Sequence, residues 1–279
     1  MYSKRKSIIS VTPTVCKLMG IDKPNLSTEE VFENLITQAF ENLKIEKIDK
    51  CLIFAPDAVG EFLQKDYKKY FEGIETYASI SIELSSVYIP ITPVCFASMF
   101  TGVLPEVHGI VKYEKPILKI DTIFDRLIDE NKKPAIVAVK DSSVDLIFRN
   151  RQMSYYSEIY DAEVIDKTIS LMKENKNDFI LSYNQEYDDC IHETEPFSEK
   201  SINALKNQNQ NFIKLAKYFD EYWVDYNRLI MYTPDHGCHI NKETGNGDHG
   251  ENIPDDMNVI HFCGIAKSGE KLFNMPKNL

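Results

Sequence analysis

The chain has 279 residues, of which 43% are hydrophobic and 27% are charged, so it can bury a sizeable core. Its formal net charge of −11 argues against binding of a nucleic acid polymer, because a polyanion requires a basic surface. The net charge does not exclude binding of a small anionic substrate, because bound metal ions would supply the positive charge that the chain lacks.

The cysteines and the apolar segments indicate the compartment. The six cysteines are scattered and form no C-x-x-C pair, a pattern typical of reduced thiols in a cytoplasmic protein. The first residues are basic, but the apolar run that follows is short and interrupted, and no later segment approaches membrane length. We therefore expect a cytoplasmic protein with no secretory signal and no association with a membrane.

The first half of the chain alternates between helical and strand patterns. Residues 27–43 show helical periodicity, with Ser27 and Glu30 in capping-box spacing. The short apolar run 51–55 predicts a buried strand. Residues 121–133 predict a helix capped by an Asp, and residues 134–139 predict the next strand.

The second half continues in the same way. Strands are predicted at 178–183, 228–232 and 259–265, with a polar run at 184–198 and a long helix over roughly 198–219. Short apolar strands separated by helices favour a mostly parallel sheet covered on both faces. We expect an α/β fold, a three-layer α/β/α sandwich that forms a single domain over residues 1–279.

Side chains able to bind metal collect directly after the predicted strands. They are three aspartates and three histidines from separate segments: Asp57, Asp188, His192, Asp235, His236 and His249. An Asp after a strand is usually a turn or helix cap, so each residue alone carries little weight. In a parallel sheet, however, these positions converge at the carboxyl edge. Together they suit two divalent ions bound by carboxylate and imidazole.

Thr92 lies before Pro93 and a short apolar helical segment. The simplest interpretation is a helix N-cap, because Thr before Pro is a common helix start. A hydroxyl at a helix N-terminus, close to a metal ion, would also be a good nucleophile toward a phosphoryl group. The two roles are compatible, and the residues alone leave both open.

Four segments resemble the motifs of the alkaline phosphatase superfamily, most nearly its nucleotide pyrophosphatase/phosphodiesterase and phosphonoacetate hydrolase branch. In this chain the segment "TPVCFASMFTGVLPEVHGI" resembles the segment that carries the nucleophile in that family. Thr92 opens it, and Thr101 is the Thr of its "TG" pair. Three further segments of this chain resemble the family's metal-binding segments: "YDDCIHETEPFS", "TPDHG" and "GDHGEN". The matches occur in family order over most of the chain, and they imply an alkaline-phosphatase-like fold.

The resemblance also implies roles for the residues. One ion would be held by Asp188, His192 and His249. The other would be held by Asp57, Asp235 and His236, together with the hydroxyl of Thr92. Thr92 would attack phosphorus and form a phosphothreonine, which water then hydrolyses. Zinc is the expected metal, with manganese or another divalent ion as alternatives.

The sequence departs from the family pattern at four positions. Ala58 stands where family members often have Gly, and Ile191 and Glu195 replace Gly in the second segment. Cys95 replaces a polar residue, commonly Asn, that helps to hold the phosphoryl oxygens; a thiol is a poor substitute donor. A sulfatase is excluded, because Thr92 cannot be converted to formylglycine.

The interval between Thr92 and Asp188 is too short for a large cap, so we expect a reduced one. The predicted function is hydrolysis of a phosphodiester or pyrophosphate bond in a small phosphorylated substrate. The alternatives are a phosphomonoesterase or phosphonate (C–P) hydrolase with the same centre, and a catalytically silent metal-binding homologue. The oligomeric state is left open. The remaining histidines are predicted to have structural or surface roles: His108, His239 and His261.

Overall fold

The computed structural model describes residues 5–274, and a sheet of eight strands forms its centre. The strands of this sheet are β1 (Lys6–Ser7), β2 (Lys50–Pro56), β3 (Ile80–Ser85), β4 (Pro134–Val139), β5 (Ser154–Glu158), β6 (Phe179–Asn184), β7 (Arg228–Tyr232) and β10 (Asn258–Ala266). A small separate hairpin contains β8 (His239–Ile240) and β9 (Gly247–Asp248).

The strand order across the sheet is β1-β3-β10-β7-β2-β6-β4-β5. Strand β10 runs antiparallel to both of its neighbours, and every other adjacent pair is parallel. The carboxyl ends of β7, β2 and β6 therefore lie side by side at one edge of the sheet. This mostly parallel sheet confirms the predicted fold class.

Helices cover both faces of the sheet. They are α1 (Val11–Met19), α2 (Glu33–Thr37), α3 (Glu61–Asp66), α4 (Glu72–Tyr77), α5 (Thr92–Thr101), α6 (Pro105–His108), α7 (Ile123–Asp129), α8 (Ser143–Ile147), α9 (Asp161–Glu174), α10 (Glu186–Glu193), α11 (Glu199–Tyr222) and α12 (Pro254–Met257). Alternate residues of β2 enter two separate cores: Cys51 and Ile53 face the layer with α5, whereas Leu52 and Phe54 face the layer with α11. The result is the expected three-layer sandwich.

The predicted strands agree well with the observed ones, because continuous apolar runs are buried on both faces of the sheet. Strands β4 and β7 have the predicted bounds, and β2, β6 and β10 differ from prediction by one residue at each end. Strands β3 and β5 were not predicted. Both are partly exposed and contain Ser or Glu, so their composition does not distinguish them from loops.

Two predicted helix starts were wrong. The helix expected over 27–43 begins only at Glu33 and continues as one π-helical segment from Gln38 to Asn42. Ser27 is buried against Gly102 and does not cap the helix. In the helix expected from residue 121, the cap is Thr122, whose side chain forms a capping box with Asp125.

The six cysteines are free and buried, in agreement with the prediction of reduced thiols. Within residues 5–274, none of the helices combines the length and the apolar character that crossing a membrane would require.

Candidate metal centre

Two adjacent strand ends bring three ligand-type side chains together beneath the surface. Asp57 follows β2, and Asp235 and His236 follow β7, which pairs with β2 in parallel register. One ligand atom from each of the three residues lies within 4.8 Å of the others. The Nε2 atom of His236 is 3.4 Å from Oδ1 of Asp57 and 3.4 Å from Oδ2 of Asp235. We call this set, Asp57, Asp235 and His236, the buried group.

A second set lies nearer the surface. Helix α10 places Asp188 and His192 one turn apart on the same face, and the segment after β9 supplies His249. The Nε2 atoms of the two histidines are 3.1 Å apart, and each is within 3.4 Å of Oδ1 of Asp188. We call Asp188, His192 and His249 the outer group. The sequence pattern indicated only a polar run here, and the helix is what makes the spacing of Asp188 and His192 productive.

One histidine of each group is oriented as metal binding requires. The Nδ1 atom of His236 is 2.9 Å from the carbonyl oxygen of Gly237, and Nδ1 of His192 is 3.2 Å from that of Gly247. A proton on Nδ1 donates to the carbonyl and leaves the lone pair of Nε2 directed into the site. Within residues 5–274, Oδ1 of Asp188 and Oδ2 of Asp235 are buried without a hydrogen-bond partner. The residues present therefore fit two divalent cations.

The electrostatics of the buried group also favour a cation. Burial, followed by the charge of Asp188, raises the pKa of Asp57 to about 7. Burial and the neighbouring Asp57 raise the pKa of Asp235. Burial and the nearby His249 lower the pKa of His236 to about 3, so this imidazole is neutral and able to coordinate. Two carboxylates and a neutral imidazole in a buried site are stabilised by an ion that neutralises them.

Asp188 of the outer group behaves differently from the buried carboxylates. Burial acts to raise the pKa of Asp188, but the adjacent His192 and His249 outweigh burial and lower it. The two histidines therefore favour the anionic form of Asp188, the form that binds a cation.

The side chain of Thr92 faces the buried group. Its Oγ1 atom is 3.2 Å from Oδ2 of Asp57 and 3.5 Å from Nε2 of His236. The prediction that Thr92 is the N-cap was wrong: Ile91 has the extended N-cap conformation, Thr92 is the first residue of α5, and neither side chain caps the helix. Because the hydroxyl is not used by the helix, it is free to point into the site.

A cleft of about 480 Å³ is lined by Asp57 of the buried group, by Thr92 and by all three residues of the outer group. The rings of His236 and His249 lie close together, with centroids 4.2 Å apart, so the two groups are contiguous. The residues that line this cleft also include Lys115 and Lys140. The Nζ atom of Lys115 donates to the carbonyl oxygen of Asp141, which holds this side chain at the rim.

Tyr183 is a site residue that the sequence analysis did not identify. It lies near the end of β6, is buried, and donates a hydrogen bond from its hydroxyl to Oδ2 of Asp57. Burial and the charge of Asp57 raise the pKa of Tyr183, so the hydroxyl keeps its proton. In sequence Tyr183 is the last residue of an apolar run, and such a residue is indistinguishable from ordinary core.

The departures from the family pattern have local explanations. Ala58 adopts a left-handed conformation with φ of 61°, a conformation that Gly adopts without strain. The space beside Ile191 is provided by Gly247, where an added Cβ would lie 2.6 Å from the Cβ of Ile191. Cys95 Sγ contacts Oγ of Ser86 at 3.1 Å. Glu195 accepts a hydrogen bond from the backbone of Phe197.

The three remaining histidines have the structural contacts expected of them. His108 is buried, with Nε2 2.8 Å from Oγ of Ser98. Nδ1 of His239 is 2.8 Å from Oδ1 of Asp256. His261 is fully buried, and its Nε2 lies 2.8 Å from the carbonyl oxygen of Pro234.

The sheet and the position of the site define an alkaline-phosphatase-like fold. Neither a protein-family model nor a curated protein sequence matches the chain. Among solved structures, the chain is similar to murine ectonucleotide pyrophosphatase/phosphodiesterase 5, crystallised as an inactive threonine-to-alanine variant with AMP. The TM-score is 0.58 and the identity 17%, over 70% of this chain and 59% of the murine protein.

Two further solved structures are similar. Human ectonucleotide pyrophosphatase/phosphodiesterase 5 has a TM-score of 0.58 and 17% identity, over 70% of this chain and 58% of the human protein. Phosphonoacetate hydrolase from Sinorhizobium meliloti, in complex with phosphonoformate, has a TM-score of 0.51 and 15% identity, over 68% of this chain and 57% of that protein. The chain therefore matches less than two thirds of each of these proteins, and the similarity concerns the fold.

Proposed function

We propose that the protein is a metal-dependent phosphoesterase in which Thr92 is the nucleophile and the two groups hold two divalent ions. The observation that carries the proposal is the position of the Thr92 hydroxyl, which faces the buried group at the border of the same cleft as the outer group. The murine neighbour supports it, because that protein is inactive when a threonine is replaced by alanine.

Each residue of the centre has a distinct task. Asp57, Asp235 and His236 would hold one ion, and Asp188, His192 and His249 the other. Bound ions in such a pair stabilise the negative charge that develops on a transferred phosphoryl group. The hydrogen bond to Asp57 orients the Thr92 hydroxyl. A bond forms between Oγ1 of Thr92 and phosphorus while the bond to the leaving oxygen breaks, and water later hydrolyses the phosphothreonine.

Lys115 and Lys140 favour a substrate with a second anionic group. They line the same cleft as the proposed metal ligands, where an ammonium group would attract a phosphate or carboxylate next to the reacting phosphorus. A phosphodiester or pyrophosphate fits this arrangement. The same two lysines also support the second candidate, a phosphonate (C–P) hydrolase, whose substrate carries a carboxylate beside the phosphonate.

Zinc as the preferred metal and a cytoplasmic location remain predictions. A catalytically silent homologue would differ from an enzyme in one respect: it would bind metal and ligand without turnover. Cys95 does not decide between these possibilities, because its contact with Ser86 describes packing and not the binding of phosphoryl oxygens.

The test replaces Thr92 by Ala and compares it with Thr101→Ala. Thr101 lies in the same helix and is buried, but its hydroxyl donates to the backbone of Ala97, away from the site. Turnover of p-nitrophenyl phosphate, its thymidine monophosphate ester and phosphonoacetate is measured with zinc or manganese. We expect Thr92→Ala to retain metal and to lose at least about a thousandfold in turnover, with Thr101→Ala close to wild type.

Unchanged turnover by Thr92→Ala would contradict the nucleophile assignment. Absence of turnover in the wild-type protein, with metal and substrate analogues bound, would support the silent homologue. The relative rates on the three substrates distinguish a diesterase from a monoesterase and from a phosphonate hydrolase.

A further inference from the structure

The buried hydroxyl of Tyr183 makes a contact that the proposed reaction does not require. Tyr183 is 3% exposed, and its hydroxyl donates to Oδ2 of Asp57. Oγ1 of Thr92 lies 3.2 Å from this oxygen and 3.5 Å from Oδ1. The other oxygen of Asp57, Oδ1, lies 3.4 Å from Nε2 of His236. Tyr183 therefore contacts one oxygen of this carboxylate and His236 the other, while Thr92 lies near both.

The position of Tyr183 follows from the sheet. Strands β2 and β6 are parallel, with Ala55 opposite Tyr183, and the backbone nitrogen of Asp57 donates to the carbonyl oxygen of Asn184. The ring of Tyr183 packs edge-on against Phe96, with centroids 5.5 Å apart, so its rotation is restricted. The hydroxyl is thus fixed relative to Asp57 by two strands and one helix.

We propose that Tyr183 is a positioning residue whose hydroxyl fixes the orientation of the Asp57 carboxylate, so that Oδ1 would be presented to the ion of the buried group. This inference rests on the proposed function, since it concerns the ion of the buried group. Hydrogen bonds that orient a ligand carboxylate typically change metal affinity by about 10- to 100-fold. The effect is local, because Tyr183 has no contact with His192 or His249 among those the structure gives.

The variant Tyr183→Phe removes the hydroxyl and keeps the ring that packs against Phe96. Tyr232→Phe is its matched control: Tyr232 is also fully buried in a central strand, and its hydroxyl donates to Asn209, outside the site. His192→Ala identifies which step of a two-step binding curve belongs to the outer group. Binding of zinc alone to the metal-free proteins is measured by competition with a chelator. Thermal unfolding of the metal-free variants is measured in parallel.

We expect Tyr183→Phe to weaken only the binding step that His192→Ala leaves intact, by roughly 10- to 100-fold. Tyr232→Phe should bind both ions as wild type does. Equal affinity of Tyr183→Phe and wild type for both ions would overturn the inference, and so would equal weakening of both steps, which indicates a general structural role. If the wild-type protein binds no zinc, the proposed function fails before Tyr183 is tested.

Discussion

The buried group and the outer group contain the same kinds of side chain, but the chain supports them differently. Asp57, Asp235 and His236 follow two neighbouring strands, and all three are buried. In the outer group His192 is exposed, and the ligands come from one helix and from the segment after a two-stranded hairpin. Buried residues next to a central sheet are less mobile than exposed residues and surface loops.

This difference assigns the two groups different parts in the proposed reaction. Thr92, the proposed nucleophile, is next to the buried group, where its position would have to be reproduced within fractions of an ångström. The outer group lies where the cleft opens, and its ion would meet substrate and water as they enter. Substitutions in the two groups should therefore reduce turnover to different extents.

The largest effect is a difference in turnover between the variants Asp235→Asn and His192→Ala. Asp235→Asn should reduce turnover by more than about 100-fold, because it removes the negative charge of a ligand that is fully buried, where solvent cannot take its place. His192→Ala should weaken one ion and be partly rescued by added zinc, since the site is accessible to solvent. Turnover is measured at a series of free zinc concentrations, with bound zinc determined in parallel. Rescue of Asp235→Asn by the same zinc concentrations would break the distinction between the groups.

The sequence predicted the buried group better than its surroundings. Asp57, Asp235 and His236 come directly after apolar strands, so the sheet alone indicates that they converge. The helical spacing of Asp188 and His192 was hidden, because α10 is short and polar and buries only Tyr187, Cys190 and Ile191. Tyr183 could not be identified, because its role depends on the register between two strands.

The smaller corrections have similar physical causes. Ser27 and Glu30 have capping-box spacing, but Phe32 is drawn into the core and its backbone nitrogen bonds to Thr14, so the helix starts after it. Thr92 has the sequence of an N-cap, but Ile91 takes that position. Local patterns specify which residues can start a helix, and tertiary contacts select among them.

A moderate effect on stability is expected from His261, which supports the buried group through the carbonyl oxygen of Pro234. Burial lowers the pKa of His261 to about 4 from an ordinary value of 6.5. Above pH 6.5 His261 is neutral in both the folded and the unfolded state, so its titration does not change the free energy of unfolding. As the pH falls from 6.5 toward 4, only the unfolded state gains the proton, and the folded state loses roughly 3 kcal/mol relative to it.

The variant His261→Gln keeps a donor for the carbonyl oxygen and cannot titrate. The free energy of unfolding of the metal-free protein is measured with urea from pH 8 to pH 4 for both proteins. We expect the loss between pH 6.5 and 4 to be smaller in the variant by up to roughly 3 kcal/mol. If the free energy of unfolding depends on pH in the same way in both proteins, His261 is not responsible for the loss of stability in acid.

The smallest effect is expected from Ala58→Gly, which restores the residue that the family resemblance implies after Asp57. Ala58 has φ of 61°, which costs an alanine about 1–2 kcal/mol relative to glycine, whereas glycine increases the entropy of the unfolded chain by about 0.4–1 kcal/mol. The net expectation is a gain in stability of up to about 1 kcal/mol, measured as a shift in the urea midpoint. Because Ala58 is also fully buried in the core, a decrease in stability would show that packing of its methyl group outweighs the backbone strain. That result would indicate that contacts of the buried Ala58 methyl group keep the loop that carries Asp57 in its left-handed conformation.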